Sequence, residues 1–146
     1  MTHANFLALA TVPVLLLCSS LAPIRSVPAS EHLYAGKEPL TTDEVKAALV
    51  GNSVKGKSSD RGFPFTSYYP TYGVMKGSAG YGGVYKDEGI WSVTNDIYCA
   101  TWENWQERLE RCFRVYLLDD DTIFWVTPNG ILEGKDKLVT GNPAGL

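Results

Sequence analysis

Histidine occurs only at positions 3 and 32, and that scarcity excludes more chemistry than any residue present suggests. A Ser-His-Asp or Cys-His apparatus needs an imidazole fixed beside its nucleophile. His3 precedes an apolar leader and His32 falls in a stretch read below as a tether. Catalytic zinc wants several rigid His or Cys ligands, so no metal, no cofactor and no enzyme of these classes is expected. Basic blocks are missing as well. The 13 Lys and Arg are interspersed with 16 Asp and Glu, for a net charge of −3, which leaves no stripe for nucleic acid or an anionic membrane. No phosphate loop is written either. The glycine-rich run from Gly73 to Gly89, GVMKGSAGYGGVYKDEG, has no helix start after it and no Lys-Ser or Lys-Thr pair. It reads as turns and bulges.

Long apolar runs are also absent. The longest, FLALATVPVLLL from Phe6 to Leu17, falls short of the roughly twenty residues of a membrane span and has the length of a signal h-region. Residues 1–22 are therefore expected to be a cleaved signal peptide, with small Ser20 and Ala22 before the cut, although cuts after Ser20 or Ala29 are open and the n-region MTHAN lacks Lys and Arg. Lipidation at Cys18 is disfavoured, because bulky Leu17 stands where a small residue is needed. The expected product is secreted or periplasmic, with no stable membrane insertion once the signal is gone. Cys99 and Cys112 are then the remaining cysteines, an even pair in an oxidising compartment, and are expected to be bonded. Closing a loop of about fourteen residues removes about 3 kcal/mol of unfolded-chain entropy. Redox pairs usually sit two residues apart, so the bond reads as structural.

Residues 23–39, with prolines at 23, 28 and 39, read as a flexible tether, and residues 40–146 as a single β domain. Thr41-Thr42-Asp43-Glu44 has the form of a capping box with Leu40 and Val45 as its staple, which predicts one helix over 42–50 ended by Gly51. Beyond it come short runs rich in Val, Tyr, Phe, Trp and Thr, broken by Gly, Pro, Asn and Asp, the pattern of a strand meander. Strands are predicted over 53–57, 65–69, 74–76, 89–94, 97–102, 111–118, 122–127 and 131–133. The Asp119-Asp120-Asp121 and Pro128-Asn129-Gly130 turns mark the firmest hairpins. If Cys99 faces Cys112 across an antiparallel pair, Tyr98 faces Phe113 and Ala100 faces Arg111. Tyr98, Ala100, Trp102, Phe113, Val115 and Leu117 then share the core face. The expected fold is mainly β: an antiparallel meander forming a curved sheet or small, partly open barrel, with one N-terminal helix and one disulfide.

Carboxylates at Asp87, Glu88, Glu103, Glu107, Glu110 and the Asp119 to Asp121 turn could serve a small hydrolase of cell-wall or polysaccharide material only if two faced each other across a cleft. One short acidic turn offers a hard cation too few oxygens. The aromatics say more. Trp105 lies in the loop closed by the disulfide, where its indole either anchors a partner protein or glycan or folds back over the open end of the sheet. Tyr81 and Tyr85, in the glycine-rich segment, join it as candidate contact groups, on the assumption that the two segments approach one another.

The run Gly89-Ile90-Trp91-Ser92-Val93, then Tyr98-Cys99, Arg111-Cys112-Phe113 and Gly141-Asn142-Pro143 resembles a family of small exported proteobacterial proteins of unknown function. The resemblance runs from about Leu40 to the C-terminus and implies a bacterial, periplasmic or secreted β domain with no assigned activity. The expected function is a non-enzymatic binding or envelope-interaction module. The alternatives are the carboxylate hydrolase and a barrel that carries a small apolar ligand.

Overall fold

The computed structural model describes Tyr34, residues 36–58 and residues 62–146. The expected signal peptide, Cys18, His32 and most of the expected tether lie outside the described residues. One helix, α1 (Thr42–Leu49), precedes eight strands: β1 (Ser53–Lys57), β2 (Pro64–Thr71), β3 (Val74–Ala79), β4 (Tyr85–Thr94), β5 (Ile97–Trp102), β6 (Arg111–Leu117), β7 (Thr122–Val126) and β8 (Leu132–Val139). All neighbours are antiparallel, and β8 returns to β1 with Leu138 opposite Val54, so the sheet is a closed barrel. Closure removes both sheet edges, and it is the one respect in which the architecture goes beyond the partly open form expected.

The register around the disulfide is as predicted. Cys99 is bonded to Cys112, and Tyr98 and Ala100 lie opposite Phe113 and Arg111. The predicted inward set of β5 and β6 lies in or against one core cluster with Val54, Tyr69, Met75, Trp91, Val93, Ile123 and Trp125. Eight strands leave room for side chains and little else, and here aromatic rings fill the axis. Trp91 stacks on Tyr98 at 5.8 Å, Tyr98 leans on Trp125 at 5.1 Å, and Tyr69 meets Trp91 edge-on at 5.4 Å. The Tyr69 and Tyr98 hydroxyls bond each other at 3.2 Å, and Tyr98 also donates to the Met75 sulfur. Burial pushes the Tyr69 phenol up to about 12 and raises that of Tyr98 as well.

Helix α1 plugs one end. Thr41 caps it, its hydroxyl accepting from the Glu44 amide while Glu44 accepts from the Thr41 backbone, and that backbone bond holds the Glu44 carboxyl below its ordinary value. Asp96, in the Asn95-Asp96 turn between β4 and β5, accepts from the Thr42 amide at 2.6 Å and bolts the helix start to a hairpin. Val45 and Leu49 are fully buried, so this narrow apolar stripe closes the barrel's end. Asn52 ties down the exit, donating to the Ala48 carbonyl and accepting from the Gly141 amide.

A smaller cluster of Tyr34, Tyr116, Phe124 and Val126 lies on the outer face of β6 and β7. Tyr34 belongs to the segment expected as a tether, yet it is buried against Tyr116 at 4.6 Å, and Lys37 nearby pairs with Asp119.

Four strands are longer than the sequence predicts: β2 runs 64–71 against 65–69, β8 runs 132–139 against 131–133, and β3 and β4 extend into the glycine-rich run. β3 reaches Ala79 and β4 starts at Tyr85, taking in most of the run read as turns. The reason is steric. Gly77 faces the lumen, where a Cβ would lie 2.6 Å from Trp105 and 2.8 Å from Trp102, and at Gly89 it would lie 2.5 Å from Met75 and from the Thr101 carbonyl. These glycines are strand residues, Gly77 making room for two indoles and Gly89 for the Met75 methyl and the neighbouring backbone.

Candidate functional site

The barrel end opposite α1 is built by the turns β1–β2, β3–β4, β5–β6 and β7–β8. Its loop over 103–110 is held by Asp87, which is 6% exposed and accepts from the amides of Asn104 and Trp105 at 3.0 and 2.8 Å and from the Asn104 side chain at 2.9 Å. Burial works to raise this carboxyl, but the combined hydrogen bonds outweigh it and hold it below its ordinary value. The loop thus seated turns Trp105 inward. Its ring lies 4.9 Å from that of Trp102 and packs on the barrel core. Of the two positions open to Trp105 in the sequence, the indole takes the one folded over the end of the sheet.

Tyr81 and Tyr85 remain outside. The β3–β4 turn (Tyr81–Gly83 in a short 3-10 turn) leaves Tyr81 76% exposed, Val84 69% and Tyr85 61%. Tyr81 is braced by Phe63 edge-on at 6.0 Å, and the Tyr85 ring lies so close to Gly80 that a Cβ there would approach it to 2.9 Å. The glycine segment and the disulfide loop do approach one another, through Gly77 and Asp87, but the tyrosines and Trp105 do not form one patch.

The carboxylates scatter. Asp119 and Asp120 are paired with Lys37 and Lys137 at the α1 end, and Lys137 with Thr122 holds Asp120 at about 2. Glu88 and Glu103 border a cleft of about 410 Å3 on the outer wall. Glu88 is answered there by Lys76 at 3.5 Å and Glu103 is exposed, so neither has the apolar surroundings that prepare a general acid. The sequence pointed away from the most perturbed carboxyl. Asp136 of β8 points into the barrel, accepts from the Trp125 indole N–H at 2.6 Å, and is raised to about 6 chiefly by burial. Its inward position is written in the alternation Gly134, Asp136, Leu138 between Lys135 and Lys137, but the strand expected here ends at 133 and the flanking lysines hide its continuation.

A second cleft, of about 400 Å3, lies on the outer wall where the C-terminal turn crosses β1 to β4. Its floor carries Lys55, Thr66, Ser78 and Lys86, and Gly82 and Pro143 stand at its sides. No described helix is long and apolar enough to cross a membrane. The chain matches no family model, no curated protein and no solved structure.

Proposed function

We propose that this protein is an exported, non-enzymatic binding module that meets a protein or glycan partner with the surface of its β3–β4 turn. One observation carries the proposal. The barrel spends its interior on its own aromatic side chains, yet leaves Tyr81, Val84 and Tyr85, all in or beside one turn, mostly exposed. A carrier of apolar ligands needs an enclosed lumen, and here Tyr69, Trp91, Tyr98 and Trp125 occupy it. Tyrosine is a favoured contact residue because it offers a large rigid ring at low entropic cost with a polar tip. Bracing by Phe63 and Gly80 adds preorganisation. The apolar leader and the Cys99–Cys112 bond support export.

The test is the double variant Tyr81→Ala/Tyr85→Ala, compared with the parent protein on a glycan array and in cross-linked envelope extracts. Both rings are exposed, so the unfolding free energy from urea titration should stay within about 0.5 kcal/mol of the parent, while capture of the parent's ligands should fall at least about tenfold. Undiminished capture by a folded variant would refute the proposal.

A further inference from the structure

We infer that the 400 Å3 cleft beside this turn binds the anionic group of an acidic saccharide, a carboxylate or sulfate, with the sugar ring lying toward the tyrosines. The inference rests on the preceding reading of Tyr81 and Tyr85 as contact groups and names the ligand class they serve.

The floor is one cross-strand row, Lys55 opposite Thr66, Thr66 opposite Ser78 and Ser78 opposite Lys86. Strands lie about 4.8 Å apart, so two hydroxyl side chains sit between two lysines whose backbones are about 14 Å apart, within reach of one group held over the middle. Among the described residues, neither lysine has an ion-pair partner and no acidic side chain lines the cleft. The neighbouring row differs, since its Lys76 is answered by Glu88. A chain of net charge −3 thus presents two lysines without ion-pair contacts at one concave place, Lys86 also bordering the acidic cleft of Asp87, Glu88 and Glu103.

One side is open and the other is preformed. At Gly82 a Cβ would meet nothing within 4 Å, so that side of the cleft is open for a ligand. The opposite wall, Pro143 and Ala144, belongs to a turn closed by two bonds between Asn142 and Leu146. Its root is fixed to β1 by the Ser53 hydroxyl donating to the Gly141 carbonyl at 2.7 Å. The volume falls in the range of small-molecule sites, and hydroxyls with ammonium groups suit an oxyanion.

The experiment is an amide-resolved NMR titration of the disulfide-bonded protein with four probes: a uronic-acid trisaccharide, a neutral trisaccharide, sodium sulfate and a glutamate-rich peptide of matched charge. The acidic sugar should move the amides of Thr66, Ser78, Gly82 and Gly83 and bind about tenfold more tightly than the neutral one, with sulfate moving the same floor amides at higher concentration. Lys55→Gln/Lys86→Gln should abolish that preference and its salt dependence without shifting the urea midpoint. Shifts elsewhere, or a preference that survives the lysine changes, would overturn the site. Peptide binding as tight as that of the acidic sugar would overturn the saccharide assignment in favour of an acidic protein. Equal binding of both sugars, lost in Tyr81→Ala/Tyr85→Ala, overturns the anion site and leaves the tyrosine surface standing. Sulfate binding lost only with the lysines, with no sugar bound, overturns the tyrosine surface as a sugar platform.

Discussion

Replacing Asp136 by Asn should make this protein more stable at neutral pH, and the size of the effect follows from where the carboxyl sits. The side chain is inside the barrel, 8% exposed, with Trp125 donating to it and the space at Gly56 taken up by its Oδ1. Folded, it titrates at about 6; its ordinary value is 3.8. Between those values the folded chain holds a proton that the unfolded chain has released, so this group's contribution is full below about pH 4 and is lost as pH rises through 6. Two units at 1.36 kcal/mol each give about 3 kcal/mol lost by pH 8 from this one group. Asn keeps an oxygen for the Trp125 N–H and has no charge to bury. It should therefore abolish the decline and gain about 1 to 3 kcal/mol at pH 8, less what is lost in weakening a charge-assisted bond. Urea unfolding of both proteins, followed by circular dichroism between about pH 5 and 8, reads the difference. Glu44, Asp87 and Asp120 are shifted the other way, so they act only in stronger acid and leave this window clean. Curves for parent and variant that run parallel across it would refute the reasoning.

Asp87→Ala should release Trp105, with red-shifted fluorescence and a loss of about 3 kcal/mol from three bonds to an ionised acceptor. Because this carboxyl is held low, its contribution is present above about pH 4 and lost as acid protonates it; a blue, unshifted spectrum would contradict the assigned role. Gly77→Ala drives a methyl into two indoles and should cost about 1 to 3 kcal/mol in a thermal or urea melt, with a neutral result showing that Trp105 is free to move. Cys99→Ser/Cys112→Ser should cost about 3 kcal/mol while leaving the strand register intact. Intact mass after alkylation without reductant checks the bond, and two labelled thiols in the parent protein would remove it.

Much of the barrel was legible because its rules are local. The capping box at Thr41 and Glu44 needs residues three apart, and the alternation of Tyr98, Ala100 and Trp102 needs only the pleat's period of two. Once Cys99 is set opposite Cys112, every neighbour on those two strands follows. The glycine run misled because composition reports backbone freedom without saying what presses against the missing side chain. Gly77 is a strand residue answering Trp102 and Trp105, which lie at least 25 positions later in the chain. The site divided in the same way. Of the residues proposed for binding, Tyr81 and Tyr85 were candidates from the sequence, whereas Lys55, Thr66, Ser78 and Lys86 come from four strands and become a row only through three successive registers.

The sequence by itself determined the number and order of the strands, though not the full length of β2, β3, β4 and β8, together with the capped helix, the disulfide register and the inward face of β5 and β6, since each depends on residues that are close in the chain or on a covalent bond between two of them. Tertiary structure alone decided that β8 closes onto β1, that α1 fills the end of the barrel, that Trp105 turns in and Asp136 is buried. Those outcomes depend on which distant side chains compete for one small lumen, and volume inside a closed surface is a property of the whole sheet.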